Sequence, residues 1–464
     1  MKKIENASNM TSSKNLKSRY IRWILIGLSI LIIVFFAYII PRLPIITGYV
    51  AKEVCSCTFV AKRDIERTKK EDVGYFPVNL ASFSVDYESK TVKSHILGLS
   101  SETAVYRPNL GCTLVHNIEV DEVQRQSFDL PVSVIDKNLP FPNGDYVVDT
   151  FPSRVEEDKL QKAMDFAMNC KGTRAAMVVY KGQIIGERYA EGFDKDSRHL
   201  AWSISKSVTN ALYGILVKKD IIKTKEPANI ASWKDERKEI TIDDLLQMNS
   251  GLEWEENYFD LSGATLMLFK NDDFGAFAAE STLEFKPAEH WEYSSGTSNI
   301  LAEIMQERID NQSTYWSFPY TELFNKIGIQ SMILEADASG TYVGSSYSWA
   351  TVRDWARLGQ LYLNNGLWNG EQIFPSNWVN YSTTPAEGSN GIYGAQIWLN
   401  TTGKYKEGCP KDLYNFGGFN GQNVSMIPSK DLVILRFGLN SIEPLDYAAF
   451  VRQVVDAVSI EESN

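Results

Sequence analysis

The feature that most constrains this chain is an apolar run near its N-terminus, Trp23 to Ile40, which holds 18 residues without a charge. A helix needs about 20 apolar residues to cross the hydrocarbon core of a bilayer, so this run is just long enough to span. A buried helix of a soluble core rarely runs so far without a polar face. A cleaved signal peptide is the stronger alternative, but residues 41–44 offer no small-x-small cleavage pattern. We therefore expect an uncleaved signal anchor over residues 21–41.

Basic residues set the expected orientation of this span. Six lysines and arginines precede it, against a single acidic residue, Glu5. By the positive-inside rule, residues 1–20 form a cytoplasmic tail, and the chain after residue 41 lies outside the cytoplasmic membrane. That periplasmic or extracellular compartment permits disulfides. A Cys55–Cys112 bridge is possible among the five cysteines, although the sequence does not give the connectivity.

Charge and ligand spacing exclude two function classes. The net charge of −11 argues against a nucleic-acid partner, because nucleic-acid binders carry a basic face. The four histidines show no H-x-x-x-H spacing, and the five cysteines form no C-x-x-C pair. The sequence therefore implies no metal and no cofactor.

Patterning divides the rest of the chain into two parts. Residues 42–139 form a membrane-proximal region with weak patterning, in which CTFVAKRD and CTLVHNIEV are short strand-like pieces. Residues 140–460 are patterned more strongly: a hairpin around Lys181-Gly182, several amphipathic helices, two late strands and a final helix. This order predicts an α/β sandwich, a mostly antiparallel sheet flanked by helices, with a helical subdomain inserted after the hairpin.

The segment AWSISKSVTNALYGILVKKD, residues 201–220, places Ser203 three residues before Lys206 at the start of an apolar helix. Residues three apart share one helix face. A serine hydroxyl is a poor nucleophile unless a base takes its proton, and burial can lower the pKa of a lysine enough for that task. The alternative is that Ser203 only caps the helix, since serine is common there.

Two further observations favour catalysis at Ser203. The chain has no other S-x-x-K, and it has no G-x-S-x-G elbow to supply a competing nucleophile. Ser205 and Ser207 do not stand three residues before a lysine, so we expect them to be packing or capping residues.

Two downstream segments could complete a serine acyl-transfer site. Tyr293-Ser294-Ser295 comes just before a helix, and the glycine-rich run from Gly417 to Gln422 comes just before a strand. Glycine at a strand edge lets the backbone approach a substrate closely. An N–H at that edge could then face the N–H of Ser203 across a carbonyl oxygen.

The order S-x-x-K, Y-S-S-G and G-x-x-G-Q resembles the serine β-lactamase and penicillin-binding-protein superfamily. It is most similar to the class C-like branch, with family VIII esterases and 6-aminohexanoate-dimer hydrolases. The segments ITIDDLLQMNSGLEW and SYSWATVRDWARLGQLYLNNGLWNGEQIF also resemble sequences of this branch. The resemblance covers about residues 140–460. It implies a β-lactamase/transpeptidase-like sandwich.

The resemblance also implies a role for each matched residue. Ser203 resembles the acylated nucleophile, and Lys206 the residue that lowers the barrier to its deprotonation. Tyr293 resembles the tyrosine that passes the proton to the leaving group. Gly421 and Gln422 resemble the strand-edge pair, and the N–H of Gln422 would complete the oxyanion hole with that of Ser203.

Further substrate contacts are expected at Ser295, Asn420 and Tyr258. Tyr258 and Asp260 belong to a loop-like insert, WEENYFDLSG, which either lines the substrate cleft or forms only a lid surface, and Trp398 is a weaker candidate. β-Lactamases and D,D-peptidases place Lys or His at the start of the strand triad, where this chain has Phe419. A phenyl ring cannot bind a substrate carboxylate, which favours esters or amides without one.

The sequence thus predicts a membrane-anchored serine hydrolase that cleaves a small-molecule ester or amide through a serine acyl-enzyme, with its catalytic domain outside the membrane. One alternative is a non-hydrolytic penicillin-recognising or cell-wall sensor domain. Another is a β-lactamase or D-amino-acid peptidase. Multiple turnovers of an activated ester would separate a hydrolase from a sensor, and release of D-alanine would identify a peptidase.

Overall fold

The computed structural model describes residues 2–131, 135–309 and 311–458, with side chains described from Ser18 onwards. The helices are α1 Lys2–Val34, α2 Leu43–Cys55, α3 Ile65–Glu71, α4 Val120–Arg125, α5 Glu157–Asn169, α6 Ile204–Lys218, α7 Ile242–Leu246, α8 Gly263–Lys270, α9 Phe274–Ala279, α10 Ser295–Arg308, α11 Gln312–Pro319, α12 Val352–Leu363, α13 Trp378–Ser382 and α14 Tyr447–Asp456. The strands are β1 Ser82–Asp86, β2 Thr91–Ile96, β3 Ser100–Arg107, β4 Gly111–Val115, β5 Thr173–Tyr180, β6 Gln183–Tyr189, β7 His199–Leu200, β8 Ile333–Leu334, β9 Ser348–Ala350, β10 Leu367–Trp368, β11 Glu371–Gln372, β12 Trp398–Leu399, β13 Tyr414–Gly418, β14 Gln422–Ile427 and β15 Leu432–Gly438.

A six-stranded antiparallel sheet forms the centre of the fold, in the order β12-β13-β14-β15-β5-β6. The predicted hairpin around Lys181-Gly182 joins β5 to β6. The two predicted late strands are β14 and β15, and every residue of both is buried. Such complete burial arises because helices cover both faces of the sheet.

The helices lie in two layers on this sheet. On one face α5 and α14 pack together, and their apolar residues form a separate core with Leu160 and Phe450 fully buried. On the other face α12 packs across β14, β15 and β5, and α6 lies beside β13. Helices α7–α11 follow the hairpin in the chain. Of these, α10 packs against α6, and the other four pack against α10. The predicted α/β sandwich with an antiparallel sheet and flanking helices is therefore confirmed.

Helix α6 is the buried centre of the molecule. All residues from Ile204 to Leu216 are buried, so the helix has no solvent face over this length. A helix that is buried all round is held by packing on every side. Its first turn, which follows Ser203, is consequently fixed against the edge of the main sheet.

The N-terminal helix runs into the rest of the structure without a break. Helix α1 continues through a π turn, Phe35–Ile39, and a 3-10 turn, Ile40–Arg42, directly into α2. In the described part of the chain one helix, Ser18–Val60, is long and apolar enough to cross a membrane by length and composition. The side chains of its most apolar stretch are exposed, whereas most of α2 is buried.

Residues 42–139 contain a four-stranded antiparallel sheet, β1-β2-β3-β4, packed against α2. The strand-like piece CTLVHNIEV supplies β4, as predicted. The prediction of a strand in CTFVAKRD is wrong, because residues Ser56–Val60 continue the preceding helix as a π turn.

Buried contacts fix α2 to the rest of the structure. The ammonium of Lys52 lies 2.6 Å from Oε2 of Glu335, and the hydroxyl of Ser56 donates to Oε1 of the same carboxylate at 2.9 Å. Cys55 and Cys112 form a disulfide, the bridge that the sequence left open. Breaking a buried ion pair is strongly destabilising, so this anchorage holds α2 firmly.

Candidate active site

Ser203 lies at a strained turn that leads into α6. The preceding residue, Trp202, has φ of +51°, a left-handed conformation that is unusual for a bulky side chain and is commonly retained at functional sites. Ser203 occupies the N-cap of α6, but its side chain makes no capping hydrogen bond. Its Oγ instead accepts a hydrogen bond of 3.1 Å from the Nζ of Lys206. The geometry therefore favours the catalytic interpretation over capping.

The other serines of the segment have structural contacts. Ser205 donates to the carbonyl of Trp202, and Ser207 donates to the carbonyl of Gln396. Both are buried away from the cleft that Ser203 faces. This agrees with the packing role expected for them.

Lys206 is buried among oxygen atoms. Its Nζ also donates to Ser295 Oγ at 2.9 Å and to the carbonyl of Ser345 at 3.2 Å. Burial lowers the pKa of Lys206 to about 8, while the carboxylate of Glu256 acts in the opposite direction. A lysine in this range is partly neutral near pH 8, so its nitrogen can accept the proton of Ser203.

Tyr293 lies next to the same ammonium. The Nζ of Lys206 is 4.9 Å from the centre of the Tyr293 ring. Burial raises the pKa of Tyr293 well above its usual value, although a hydrogen bond with Ser203 acts in the opposite direction. The phenol therefore stays neutral at ordinary pH. It can donate or relay a proton, but Lys206 is the better base.

Glu256 is a member of the site that sequence reasoning missed. Its carboxylate accepts hydrogen bonds from the hydroxyl and the N–H of Ser295, at 2.5 and 2.9 Å. It also accepts from Tyr258 OH at 2.9 Å and Trp254 Nε1 at 2.6 Å. A hydrogen-bonded chain thus runs from Glu256 through Ser295 to Lys206. The sequence shows only two adjacent glutamates in a loop, and no spacing rule distinguishes the second.

The edge of β13 comes close to the chain just before the nucleophile. A Cβ built on Gly418 would lie 2.1 Å from the carbonyl oxygen of Ala201, so only glycine fits there. Gln422 stands opposite Gly418 in the β13–β14 ladder. Its side-chain amide donates to the carbonyls of Gly438 at 2.6 Å and Phe419 at 3.2 Å, which holds the turn between the strands.

A cleft of about 520 Å³ opens in front of Ser203. Aromatic rings make up much of its wall, from Tyr258, Tyr293, Trp398, Tyr405, Phe419 and Tyr447. The wall therefore includes the predicted residues Tyr258, Gly421, Gln422 and the weaker candidate Trp398. An aromatic wall of this kind suits a flat or apolar group beside the reacting carbonyl.

Three of the other predicted residues lie away from this wall. Ser295 is fully buried behind Lys206, where its hydroxyl contacts the lysine and Glu256. The side chain of Asn420 accepts from the N–H of Ser441 at 2.8 Å. Asp260 forms an ion pair with Arg42. In this arrangement Ser295 acts on Lys206 and not on a substrate.

Lys406 is a second residue that the sequence did not reveal. It lines the cleft, and its ammonium lies 4.8 and 5.0 Å from the ring centres of Tyr405 and Tyr447. Burial lowers the pKa of Lys406, partly offset by Asp446 nearby. The cleft therefore holds a cationic side chain, although Phe419 replaces the basic residue of the strand triad.

A buried acidic cluster lies outside the cleft. Glu53, Cys57 and Asp72 have ligand atoms close enough to surround a metal ion. Arg63 and Arg174, however, contact the two carboxylate oxygens of Asp72 at 2.5 and 2.8 Å. The charge of Asp72 is thereby neutralised within the chain, and the cluster is better suited to holding α2 and α3 together than to binding a cation.

The fold and this site define a class of protein: a serine hydrolase. A family model described as Beta-lactamase matches residues 170–437, more than half of the chain, and the chain belongs to this family. The curated 6-aminohexanoate-dimer hydrolase of Paenarthrobacter ureafaciens is 23% identical over 299 residues, which are 57% of this chain and 72% of that protein.

Solved structures show the same fold. The putative 6-aminohexanoate-dimer hydrolase from Bacillus anthracis has a TM-score of 0.54 at 21% identity, covering 70% of this chain and 92% of that chain. A family VIII carboxylesterase has a TM-score of 0.51 at 13% identity, covering 65% of this chain and 97% of that chain. The predicted resemblance to this superfamily is confirmed.

Gly418→Ala should reduce activity without unfolding the protein. The added methyl group must push the strand edge away from Ala201, and a displaced oxyanion donor typically costs roughly 10²-fold in kcat. Gly186→Ala in β6 is the matched control, since its Cβ would meet the flexible side chain of Met164 at 3.1 Å, away from the cleft. Equal activity of the two variants at equal melting temperature would contradict the close approach.

Glu256→Gln should shift the pH profile to lower pH. The carboxylate favours the protonated form of Lys206, so its removal lowers the lysine pKa further. The activity limb that rises as Lys206 loses its proton, near pH 8 in the wild type, then appears at lower pH. The measurement is kcat/KM for a soluble ester against pH, with Glu255→Gln as the control. An unmoved limb would mean that Glu256 does not act on Lys206.

Proposed function

We propose that this protein is a membrane-anchored serine hydrolase that cleaves an ester or amide bond through a Ser203 acyl-enzyme. The observation that carries the proposal is the hydrogen bond from Lys206 Nζ to Ser203 Oγ, together with the burial that lowers the pKa of Lys206 to about 8. A nucleophile in contact with a base that is partly neutral under working conditions is what acyl transfer requires.

The mechanism has two halves. In the first, neutral Lys206 takes the Ser203 proton while Oγ attacks the carbonyl carbon. Tyr293 then gives its phenolic proton to the departing oxygen or nitrogen and receives the proton held by Lys206, which becomes neutral again. The bond to the leaving group then breaks and the acyl-enzyme remains. In the second, water attacks the acyl carbon and gives one proton through Tyr293 to neutral Lys206, and that proton returns to Ser203 Oγ as the bond to the acid breaks. Lys206 is thus protonated only transiently in each half of the reaction.

Two backbone N–H groups would stabilise the oxyanion. One belongs to Ser203, at the start of α6, where the helix dipole favours negative charge. The second is assigned to Gln422, which lines the cleft. Phe419 is the competing donor, because it directly follows Gly418, the residue that approaches Ala201.

The proposed topology follows from the N-terminal helix. Residues 1–20 form the cytoplasmic tail, 21–41 the span, 42–139 the membrane-proximal region and 140–460 the catalytic domain outside the cytoplasmic membrane. The exposed apolar stretch of Ser18–Val60 supports a span. The Cys55–Cys112 disulfide supports an oxidising compartment, since such bridges persist outside the cytoplasm.

The substrate class is an ester or amide of a small molecule. The aromatic wall of the cleft and Phe419 favour neutral groups. The curated relative acts on 6-aminohexanoate dimer by its name, and one structural neighbour is a carboxylesterase, which supports both bond types.

Labelling with a fluorophosphonate should place a single adduct on Ser203, located by peptide mass spectrometry. Ser203→Ala should lose the adduct and roughly 10⁴-fold or more of the turnover of an activated ester, and Lys206→Ala should lose most of both. Ser207→Ala is the matched control and should behave as wild type. An adduct on another serine would overturn the nucleophile assignment, and one turnover per molecule would indicate the sensor alternative.

A second candidate function uses an anionic substrate, as a β-lactamase or D-amino-acid peptidase does. The observation that favours it is Lys406 in the cleft wall. Lys406→Met should then lower kcat/KM roughly tenfold or more for an ester that carries a carboxylate, and leave a neutral ester unchanged. The comparison of the two esters is the measurement. Equal losses of kcat/KM for the two esters would mean that Lys406 only packs against Tyr405 and Tyr447.

A further inference from the structure

We propose that the mouth of the active-site cleft rests on the same membrane that the N-terminal helix spans. The enzyme would then take an acyl ester or amide whose apolar chain lies in that bilayer. This inference deepens the proposed function and rests on its membrane anchor.

The first step is the continuity of the helix that leaves the apolar run. It enters α2 without a loop, and the Lys52–Glu335 ion pair ties α2 to the catalytic part. The Cys55–Cys112 disulfide also ties the helix end to β4. A flexible linker would let the domain lie anywhere above the bilayer. Here the helix sets which face of the domain is next to the membrane.

The second step is the contact between the end of the span and a catalytic loop. Arg42 lies two residues beyond the apolar run, and its guanidinium lies 3.6 Å from the ring centre of Tyr38. Arginine and tyrosine are typical of the membrane–water interface. The same guanidinium contacts the carboxylate of Asp260 at 2.6 and 2.8 Å. The loop that carries Asp260 therefore lies at the level of the lipid headgroups.

The third step is the arrangement of three consecutive residues in that loop. Tyr258 lines the cleft, Phe259 is 89% exposed, and Asp260 contacts Arg42. An exposed phenylalanine between the cleft and the end of a span suits insertion among lipid headgroups. Its ring is 6.5 Å from that of Phe419, so the apolar surface continues from the loop to the cleft wall.

The fourth step is a second exposed apolar tip at the same level. Leu97 is 91% exposed and Leu99 is 49% exposed, in the turn between β2 and β3. The next residue, Ser100, is hydrogen-bonded through its hydroxyl to Thr47 at 2.8 Å. Thr47 is roughly 7 Å beyond Arg42 along the helix axis, at 1.5 Å per residue. Two separate loops thus present large apolar side chains around the end of the span.

The positions of the two apolar loops determine how each kind of substrate can enter the cleft. A lipid-like substrate can keep its chain in the bilayer while its carbonyl moves along the Phe259–Phe419 surface towards Ser203. A short, dissolved ester needs no such path, because it can enter from the water. The proposal therefore predicts different responses of the two substrates to one substitution.

The contact itself is tested with a fluorescent label. The full chain is reconstituted in vesicles of phosphatidylcholine and phosphatidylglycerol, with NBD attached to Phe259→Cys or to Leu367→Cys. Leu367 is 48% exposed and pairs with Gln372 in the β10–β11 hairpin. Gln372 contacts Lys218 at the C-terminal end of α6, opposite Ser203. The unbridged cysteines Cys57, Cys170 and Cys409 are buried, so the label is selective.

We expect doxyl-labelled lipids to quench the label at position 259 and not the label at position 367. Absence of quenching at both positions, with the protein still in the vesicles, would overturn the contact. A label at 259 that is shielded from water but not quenched would mean that a second copy covers the patch, which also overturns it. Protein found outside the vesicles would instead refute the anchor.

The substrate claim is tested with Phe259→Ser and Leu97→Ser against Leu367→Ser. Turnover of a long-chain ester embedded in the vesicles should fall about tenfold in the first two variants, and turnover of a dissolved short-chain ester should not change. Equal losses on both esters, or none, would overturn the claim. If the wild type hydrolyses neither ester, the proposed function fails and the substrate claim with it, while the label alone decides the membrane contact.

Discussion

The site depends on the burial of one lysine at the first turn of α6. A buried ammonium loses its hydration, and Lys206 replaces it with three oxygens, from Ser203, Ser295 and Ser345. The nearest carboxylate, Glu256, reaches the lysine through the Ser295 hydroxyl. A direct ion pair with a carboxylate would keep the lysine charged, whereas a site without any carboxylate would leave the lysine neutral. The interposed serine gives an intermediate balance, with the lysine pKa at about 8.

The parts of the fold that the sequence predicted are those set by local spacing. A lysine three residues after Ser203 lies on the same helix face whatever surrounds it, and the hairpin at Lys181-Gly182 is defined by its own turn. The apolar character of α6 likewise shows in its own residues. Glu256 and Lys406 could not be predicted in this way. Both lie in loops, and only long-range packing brings Glu256 to Ser295 and Lys406 to the cleft wall beside Tyr447.

Tertiary context also explains why the segment CTFVAKRD does not form the predicted strand. CTFVAKRD contains threonine, valine and phenylalanine, which favour strands when they stand alone. The helix that enters from α1 and α2 is already formed at Cys55, and extending it by one turn costs less than starting a new element. Ser56 then donates to Glu335, a contact that requires the helical path.

One loop joins the catalytic chemistry to the end of the apolar run. Over residues 254–260 it supplies Glu256 to Ser295, Tyr258 to the cleft wall and Asp260 to Arg42. A partly exposed ion pair such as Arg42–Asp260 contributes little stability, so its main effect is to position the loop next to the end of the apolar run. The contacts of Glu256 do not involve Arg42. A fragment without the apolar run would therefore retain the environment of Lys206 and differ from the full chain at the mouth of the cleft.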